Sequence, residues 1–384
     1  MIDYFFTPTE IFLGQGAIKH IEEILARGHF QKAFILTDKG IVKAGLLPAL
    51  TEALDSHCEY TIFDEVEPNP TDTIVDKSFR LFQAFSPDLL IAMGGGSSID
   101  TAKAVGILAT NGGQIIDYKG IGKVKNPITP IVAIPTTAGT GSEVTTTTVI
   151  NDTQQILKYS IGGQNVAAKW AIVDPELTLT LPAHITAATG VDALTHAIEA
   201  YTSKKAYPLT DALASEAIRL IGDNLRTAVY QGTNITARQK MIEASLMAGV
   251  AFNNAKLGLC HALCNPLGAH FNVAHGVANS ILLPRVTTFN LPSQTKKYAE
   301  VARLLGEKTE GLSVTEAAEK AVTAIKKLIK DVNLPYTLGE VNVKEDYIPR
   351  MVDECIDNPL VHINPRQANR DDLIRIYKAC FVDE

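Results

Sequence analysis

The sequence predicts an α/β domain built on a parallel sheet, followed by an all-helical domain. As far as Pro182, short and continuously apolar runs that end at Gly, Asp, Asn or Pro alternate with helix-period segments. This alternation is typical of a parallel sheet covered on both faces. Beyond Pro182, apolar residues recur at spacings of three and four almost throughout, which indicates helices. We place the domain boundary between residues 1–182 and residues 183–384.

Three strands of the first domain are the clearest, because each ends in a loop of small or polar residues. Their apolar runs cover residues 33–37, 89–93 and 131–134. Helix-period segments at residues 41–53 and 72–85 lie between them, and a β-hairpin with strands at residues 144–150 and 155–161 follows. In the second domain, the spacing predicts helices at residues 212–230, 237–252, 298–305, 314–332 and 370–381.

Composition and charge exclude several classes of protein. Hydrophobic residues make up 46% of the 384 residues and charged residues 20%, which is ordinary for a globular protein. A net charge of −7 disfavours nucleic acid and anionic membranes as partners. The first six residues have no basic region, so they do not resemble a signal peptide. The odd number of cysteines, five in all, and the scatter of four of them indicate reduced thiols, and we therefore expect a cytoplasmic protein.

Two loops at predicted strand ends are rich in glycine and hydroxyl groups. The run from Gly94 to Ser97 lets the backbone approach a phosphate and opens a helix whose first amides favour an anion. The loop at residues 136–142 offers four hydroxyl groups for ribose, diphosphate or a carboxamide. Asp38, at the end of the first strand, can accept hydrogen bonds from ribose hydroxyls and would repel a 2′-phosphate, which favours NAD. The alternatives are a tight turn that binds nothing and a helix N-cap at Asp38.

Two segments of the second domain carry metal-binding residue types. Asp192 and His196 are four residues apart, which places both side chains on one face of a helix. A hydrogen bond within that helix is the alternative. Residues 258–279 add His261, His270 and His275 among apolar neighbours, where an imidazole needs a polar partner. One carboxylate with two or three imidazoles suits iron, zinc or cobalt better than magnesium or calcium.

Taken in order, residues 94–103, 135–143, 190–201 and 261–284 resemble the iron-dependent (group III) alcohol dehydrogenases, a family that includes propanediol dehydrogenases. The resemblance implies a Rossmann-like first domain followed by an all-helical second domain, which together form a dehydroquinate synthase-like architecture, and a homodimer or larger assembly of dimers. The metal ligands that it implies are Asp192, His196, His261 and His275. The cofactor contacts that it implies are Asp38, Asn69, Gly95, Gly96, Ser97, Asp100, Thr136, Thr137, Thr140, Ser142 and Lys158.

The sequence departs from the family pattern close to the third implied ligand. Many members carry a further histidine four residues after it, where this chain has Asn265, and an amide cannot shuttle a proton. His270 stands where the family commonly has an aromatic residue, and it is a pocket base, a further ligand or a hydrogen-bonded structural histidine. Asn265, which replaces the family histidine, and His270, which could act as a pocket base, are our two candidates for catalytic roles beside the metal. Cys264 is either a buried apolar thiol or a thiol close to the metal.

The resemblance implies an NAD-dependent, iron-containing alcohol dehydrogenase. Such an enzyme transfers hydride reversibly between NAD(H) and a small primary alcohol or diol, with the aldehyde on the other side. Iron(II) is the expected metal and zinc the alternative, and either acts as a Lewis acid on the alcohol. Two other functions stay open. One is a glycerol or phosphorylated-polyol dehydrogenase of the same superfamily, and the other is a non-catalytic assembly protein that binds nucleotide and metal.

Overall fold

The computed structural model describes residues 3–155 and 157–382, which form two compact units. One unit is Thr7–Leu181, and the other comprises the described residues of Pro182–Glu384 and Met1–Phe6. The predicted second strand of the hairpin includes residue 156, which lies outside the described residues. No helix in the described part of the chain is both long and apolar enough to cross a membrane.

The first unit is built on a six-stranded parallel sheet and a smaller three-stranded sheet. The described strands are β1 Glu10–Leu13, β2 Lys32–Leu36, β3 Glu59–Phe63, β4 Leu89–Gly94, β5 Gly120–Ile121, β6 Ile131–Pro135, β7 Thr147–Asp152, β8 Leu157–Gly162 and β9 Trp170–Val173. The large sheet has the order β1-β9-β6-β4-β2-β3, and every pairing in it is parallel. The hairpin β7–β8 pairs Thr147 with Gly162 and Asp152 with Leu157. The carboxyl ends of β2, β4 and β6 therefore meet at one edge of the sheet.

The α-helices of the first unit cover both faces of the large sheet. They are α1 Ile21–Gly28, α2 Lys39–Lys43, α3 Pro48–Leu54, α4 Asp72–Phe85 and α5 Gly96–Asn111. Successive strand residues point to opposite faces, so the continuous apolar runs feed two separate cores. One core contains Phe34, Leu36, Leu90, Ala92, Ile131 and Ala133 with residues of α4 and α5. The other contains Ala33, Ile35, Leu89, Ile91, Val132 and Ile134 with residues of α1 and α3.

One predicted helix of the first unit is wrong as a single element. The segment at residues 41–53 is divided between α2 and α3. Gly45 between them has φ +69°, a left-handed conformation that ends a helix, and Pro48 begins the next one. The three-to-four spacing of apolar residues runs across the break, which is why it suggested one continuous helix.

The described residues of the second unit form α-helices and short 3-10 helices, with no β-strand among them. The α-helices are α6 Ala183–Thr202, α7 Pro208–Tyr230, α8 Ile235–Ala255, α9 Leu259–Phe271, α10 His275–Asn290, α11 Thr295–Leu304, α12 Val314–Asp331, α13 Ile348–Cys355, α14 Pro359–Ile363 and α15 Arg370–Ala379. Most residues of α6 are buried, and this helix packs against α7, α8 and α10. At Gly276, a Cβ would lie 2.2 Å from the carbonyl oxygen of Ala188 on α6. Only glycine therefore lets the start of α10 approach α6 this closely.

Candidate metal centre and cofactor loops

Four side chains of the types that bind metals converge from three helices inside the second unit. Asp192 and His196 lie one turn apart on α6, His261 lies on α9, and His275 is the first residue of α10. One ligand atom from each lies within 4.8 Å of all the others. The Nε2 atoms of His261 and His275 are 3.8 and 3.7 Å from Oδ1 of Asp192. Three of the side chains are buried and His275 is partly exposed, so the group lies largely in the interior of the second unit.

A buried carboxylate fixes the orientation of His261. Oε2 of Glu199 lies 2.6 Å from Nδ1 of His261, and Oε1 accepts a hydrogen bond from the backbone N–H of Cys260 at 2.6 Å. Glu199 lies on α6 seven residues after Asp192, on the same face of that helix. Because Nδ1 is held by the carboxylate, Nε2 is the nitrogen that faces the other ligands, as is usual for metal-binding histidines.

Asp192 is held as a carboxylate by its surroundings. Burial acts to raise its pKa, but His196, His275 and His261, together with a hydrogen bond from Asn279, outweigh burial and lower the pKa. Nδ2 of Asn279 donates to Oδ1 of Asp192 at 2.7 Å. The site therefore presents one negative charge and three imidazoles, a donor set that fits iron(II) or zinc.

The structure places the two candidate catalytic residues differently. Nε2 of His270 lies 2.7 and 2.8 Å from the two carboxylate oxygens of Glu354 on α13, so this imidazole is engaged away from the four-residue group. Asn265 lies on α9, one turn after His261, and is half-buried. The ring of Phe252 stacks on His196 with the ring centroids 4.5 Å apart, which covers one side of the metal group.

In the first unit, Asp38 and the glycine run lie together at the carboxyl edge of the sheet. Oδ1 of Asp38 accepts hydrogen bonds from the N–H groups of Gly40 and Ile41, so it caps α2. A Cβ on Gly94, where φ is +154°, would lie 3.4 Å from Oδ2 of Asp38. A Cβ on Gly96 would lie 2.8 Å from Cγ2 of Thr140. The glycine run and the hydroxyl loop thus approach each other across a gap that side chains would fill.

The surroundings of this edge fit a polar ligand. The partly exposed residues Gly95, Gly96 and Ser97 form the start of α5, where amide N–H groups favour an anion. Lys158 donates to Oδ1 of Asn69 at 3.1 Å, so the structure brings these two predicted cofactor contacts together. Three buried hydroxyl groups at the ends of β2 and β6 and at the start of α5 have no hydrogen-bond partner among the described residues: Thr37, Ser98 and Thr136.

Two predicted cofactor contacts are bonded to the protein itself. Oδ1 of Asp100 accepts from Oγ of Ser142 at 2.5 Å, and Oδ2 accepts from the N–H of Val149 at 3.0 Å. Beside them, the buried Lys103 donates to the carbonyl oxygens of Ser142, Thr145 and Thr147 at 2.7–2.9 Å. These bonds fix the shape of the loop that carries the predicted cofactor hydroxyls.

Two family models match successive parts of the chain. The model described as iron-containing alcohol dehydrogenase matches residues 8–175. The model described as Fe-containing alcohol dehydrogenase family, C-terminal, matches residues 186–381, which include all four residues of the metal group. The chain belongs to the iron-containing alcohol dehydrogenase family.

Individual relatives of this iron-containing alcohol dehydrogenase match it over nearly its whole length. The 1,3-propanediol dehydrogenase of Klebsiella pneumoniae is 43% identical over 384 residues, 99% of each chain. The NAD-dependent methanol dehydrogenase of Bacillus methanolicus is 41% identical and covers 97% of this chain and 98% of its own. A crystal structure of a 1,3-propanediol oxidoreductase superposes with a TM-score of 0.97 at 43% identity, covering 99% of this chain and 100% of that one. The predicted family and fold class are both confirmed.

Sequence reasoning missed three residues that support the candidate sites from behind: Glu199 and Asn279 at the metal group, and Lys103 at the cofactor loop. Glu199 carried a signal, since it follows Asp192 and His196 on the same helix face. Lys103 carried another, because it is the single polar residue in the run of small and apolar residues from Ala102 to Leu108. Asn279 showed no such pattern, and its hydrogen bond to Asp192 depends on the packing of α10 against α6.

Proposed function

We propose that this alcohol dehydrogenase oxidises a small primary alcohol or diol to the aldehyde, and catalyses the reverse reaction, with NAD(H) as the hydride carrier. The observation that carries the proposal is the convergence of Asp192, His196, His261 and His275 within 4.8 Å. These residues are the proposed ligands of iron(II), with zinc as the alternative. When bound, such a metal supplies Lewis-acid chemistry toward the oxygen of the alcohol or aldehyde.

The residues around the ligands prepare the site for this chemistry. Glu199 and Asn279 hold His261 and Asp192 in the orientation in which their ligand atoms converge. Phe252 covers His196 with an aromatic ring, which excludes water from that side and favours an apolar substrate carbon chain. Asn265, with its neutral amide, is the proposed polar neighbour of the substrate, and it does not relay a proton.

A phosphorylated substrate is disfavoured because the two cations near the metal segments already interact with other groups of the protein. Lys256 donates to the backbone oxygen of Asn253 at 2.6 Å, and burial lowers its pKa. Arg285 donates to the backbone oxygen of Val382 at 2.9 Å and stacks on the ring of Tyr336. Both cations are thus engaged by the protein, so the phosphorylated-polyol alternative has no free basic partner in these two residues.

The substrate class is tested by measuring NADH formation from a panel of alcohols. The protein is stripped by a chelator and reloaded anaerobically with iron(II) or zinc. We expect turnover with small primary alcohols and with 1,2- and 1,3-diols, and none with glycerol 1-phosphate. Preferred oxidation of the phosphorylated polyol would contradict the proposed substrate class, and the ranking of the alcohols would define the pocket.

The proposed cofactor contacts are Asp38, Asn69, Gly95, Gly96, Ser97, Asp100, Thr136, Thr137, Thr140, Ser142 and Lys158. Oδ1 of Asp38 caps α2, so Oδ2 is the oxygen proposed to accept a hydrogen bond from the ribose. Asp100 and Ser142 contribute by shaping the loop, since they bond to each other. The other side chains and the glycine backbone are the groups proposed to contact NAD directly.

Asp38→Gly is expected to relax the preference for NAD over NADP. Removal of the carboxylate abolishes both its hydrogen bonds to ribose hydroxyls and its repulsion of a 2′-phosphate. The ratio of kcat/KM for the two cofactors is the measurement. Asp38→Asn is the matched control, because it keeps the α2 cap while removing the charge. An unchanged cofactor ratio in both variants would reduce Asp38 to a helix cap.

We also propose a homodimer, or a larger assembly of dimers, in the cytoplasm. The family resemblance supports the assembly, and the chemistry of the cysteines supports the compartment. All five cysteines are free thiols, which is usual in a reducing environment. Light scattering during gel filtration measures the mass in solution, and a monomer at micromolar concentration would contradict the proposed assembly.

A further inference from the structure

The thiol of Cys264 lies against Nδ1 of His275, the ring nitrogen that faces away from the other three proposed ligands. Sγ of Cys264 is 3.0 Å from Nδ1 of His275, and it is 3.7 Å from the backbone oxygen of the same residue. Cys264 is 1% exposed and lies on α9, three residues after His261. The thiol therefore occupies, beside His275, the position that the carboxylate of Glu199 occupies beside His261.

The chemistry of imidazole gives this contact a direction. Nε2 of His275 faces Oδ1 of Asp192 at 3.7 Å, so Nε2 is the nitrogen directed at the metal group. An imidazole that binds a metal through Nε2 carries its proton on Nδ1, and that N–H needs an acceptor to fix the ring. A sulfur atom 3.0 Å away is placed to accept it. We infer that Cys264 is a positioning residue that orients His275 for metal binding.

The two outer partners differ in strength. Glu199 is a carboxylate 2.6 Å from its imidazole, and a charged acceptor makes a hydrogen bond roughly twice as strong as a neutral one. A thiol sulfur is a weak acceptor. His275 is also the more exposed of the two ligands, with 31% of its side chain accessible against 6% for His261. Cys264 thus supports the ligand that is held less firmly, and its loss should weaken the metal without abolishing binding.

The inference rests on the proposed function, in which His275 is a ligand, and metal affinity tests it directly. The dissociation constants for iron(II) and cobalt(II) are measured anaerobically by competition with a chelator. We expect Cys264→Ala to weaken binding roughly tenfold, the lower end of the effect of losing an outer partner. Cys264→Ser should recover most of the affinity, because a hydroxyl oxygen also accepts a hydrogen bond. The visible spectrum of bound cobalt(II) should shift in the alanine variant.

Cys355→Ala is the matched control, because it also removes a buried sulfur atom. Cys355 lies on α13, where its Sγ contacts the backbone oxygen of Val352. We expect wild-type metal affinity and an unchanged cobalt spectrum in this control. Wild-type affinity and spectrum in Cys264→Ala would overturn the inference. His275→Ala distinguishes a failure of the Cys264 inference from a failure of the proposed ligand set. If it loses metal while Cys264→Ala does not, only the role of Cys264 is wrong. If it binds metal like the wild type, the proposed ligand set and the inference both fail.

Discussion

His261→Ala is expected to yield a protein that binds NADH but neither retains metal nor oxidises alcohols. The substitution removes one of the four converging side chains proposed as ligands and leaves the buried carboxylate of Glu199 without its imidazole partner. The metal content after gel filtration, NADH fluorescence and the rate of NADH formation measure the three properties separately. Near-normal turnover would contradict the assignment of His261 as a ligand.

Glu199→Gln tests the carboxylate that holds the His261 imidazole, and it is expected to weaken metal binding and activity. The amide keeps the shape of the side chain but loses the charge that accepts from Nδ1 of His261 at 2.6 Å. Loss of such an outer partner typically costs about 10–100-fold in metal affinity or activity. We expect that graded loss, in contrast to the complete loss in His261→Ala. Equal activity of Glu199→Gln and the wild type would show that the carboxylate serves packing alone.

Lys103→Met is expected to weaken NAD binding and to lower the free energy of unfolding, while metal content stays normal. Lys103 is buried, and its ammonium group satisfies the carbonyls of Ser142, Thr145 and Thr147. Burial lowers its pKa to about 8, although the carboxylates of Asp100 and Glu143 act to raise it, so it is mostly charged at neutral pH. Methionine removes the ammonium donor that these three carbonyls share, at a cost of about 2 kcal/mol.

The KM for NAD should therefore rise more than kcat falls, because the loop that carries Thr140 and Ser142 loses its support. Thermal unfolding and the kinetics with varied NAD measure the two effects. The exposed Lys119, replaced by methionine, is the matched control and should behave like the wild type. An unchanged KM and melting temperature in Lys103→Met would show that the loop holds its shape without the lysine.

The fold class was predictable because strand and helix periods are local properties of the sequence. Continuous apolar runs such as residues 89–93 indicated strands buried on both faces, and β4 is buried along its whole length. The prediction of a single helix at residues 41–53 was wrong, because apolar spacing alone does not reveal a left-handed residue that ends a helix. The apolar spacing of residues 41–53 continued through Gly45, whose left-handed φ separates α2 from α3.

The site was predictable to the extent that its residues share a helix. Asp192 and His196 could be paired from their spacing alone. The approach of His275 to them depends on a close contact between Gly276 and Ala188, which no local pattern reveals. The contacts of His270 with Glu354, and of Cys264 with His275, join residues whose placement depends on how helices pack in three dimensions. Sequence spacing therefore identified the residue types of the metal group but not the residues that orient it.

The proposed role of iron in catalysis is tested by titrating the metal-free protein with iron(II) under anaerobic conditions. Bound metal and NADH formation from 1,3-propanediol are followed in the same samples. We predict that activity rises in proportion to bound iron and saturates at one iron per chain, because the described residues gather a single group of four proposed ligands. Full NADH formation before any metal is added, or iron that binds at this stoichiometry without restoring turnover on 1,3-propanediol or on the alcohol panel, would contradict a catalytic role of the metal.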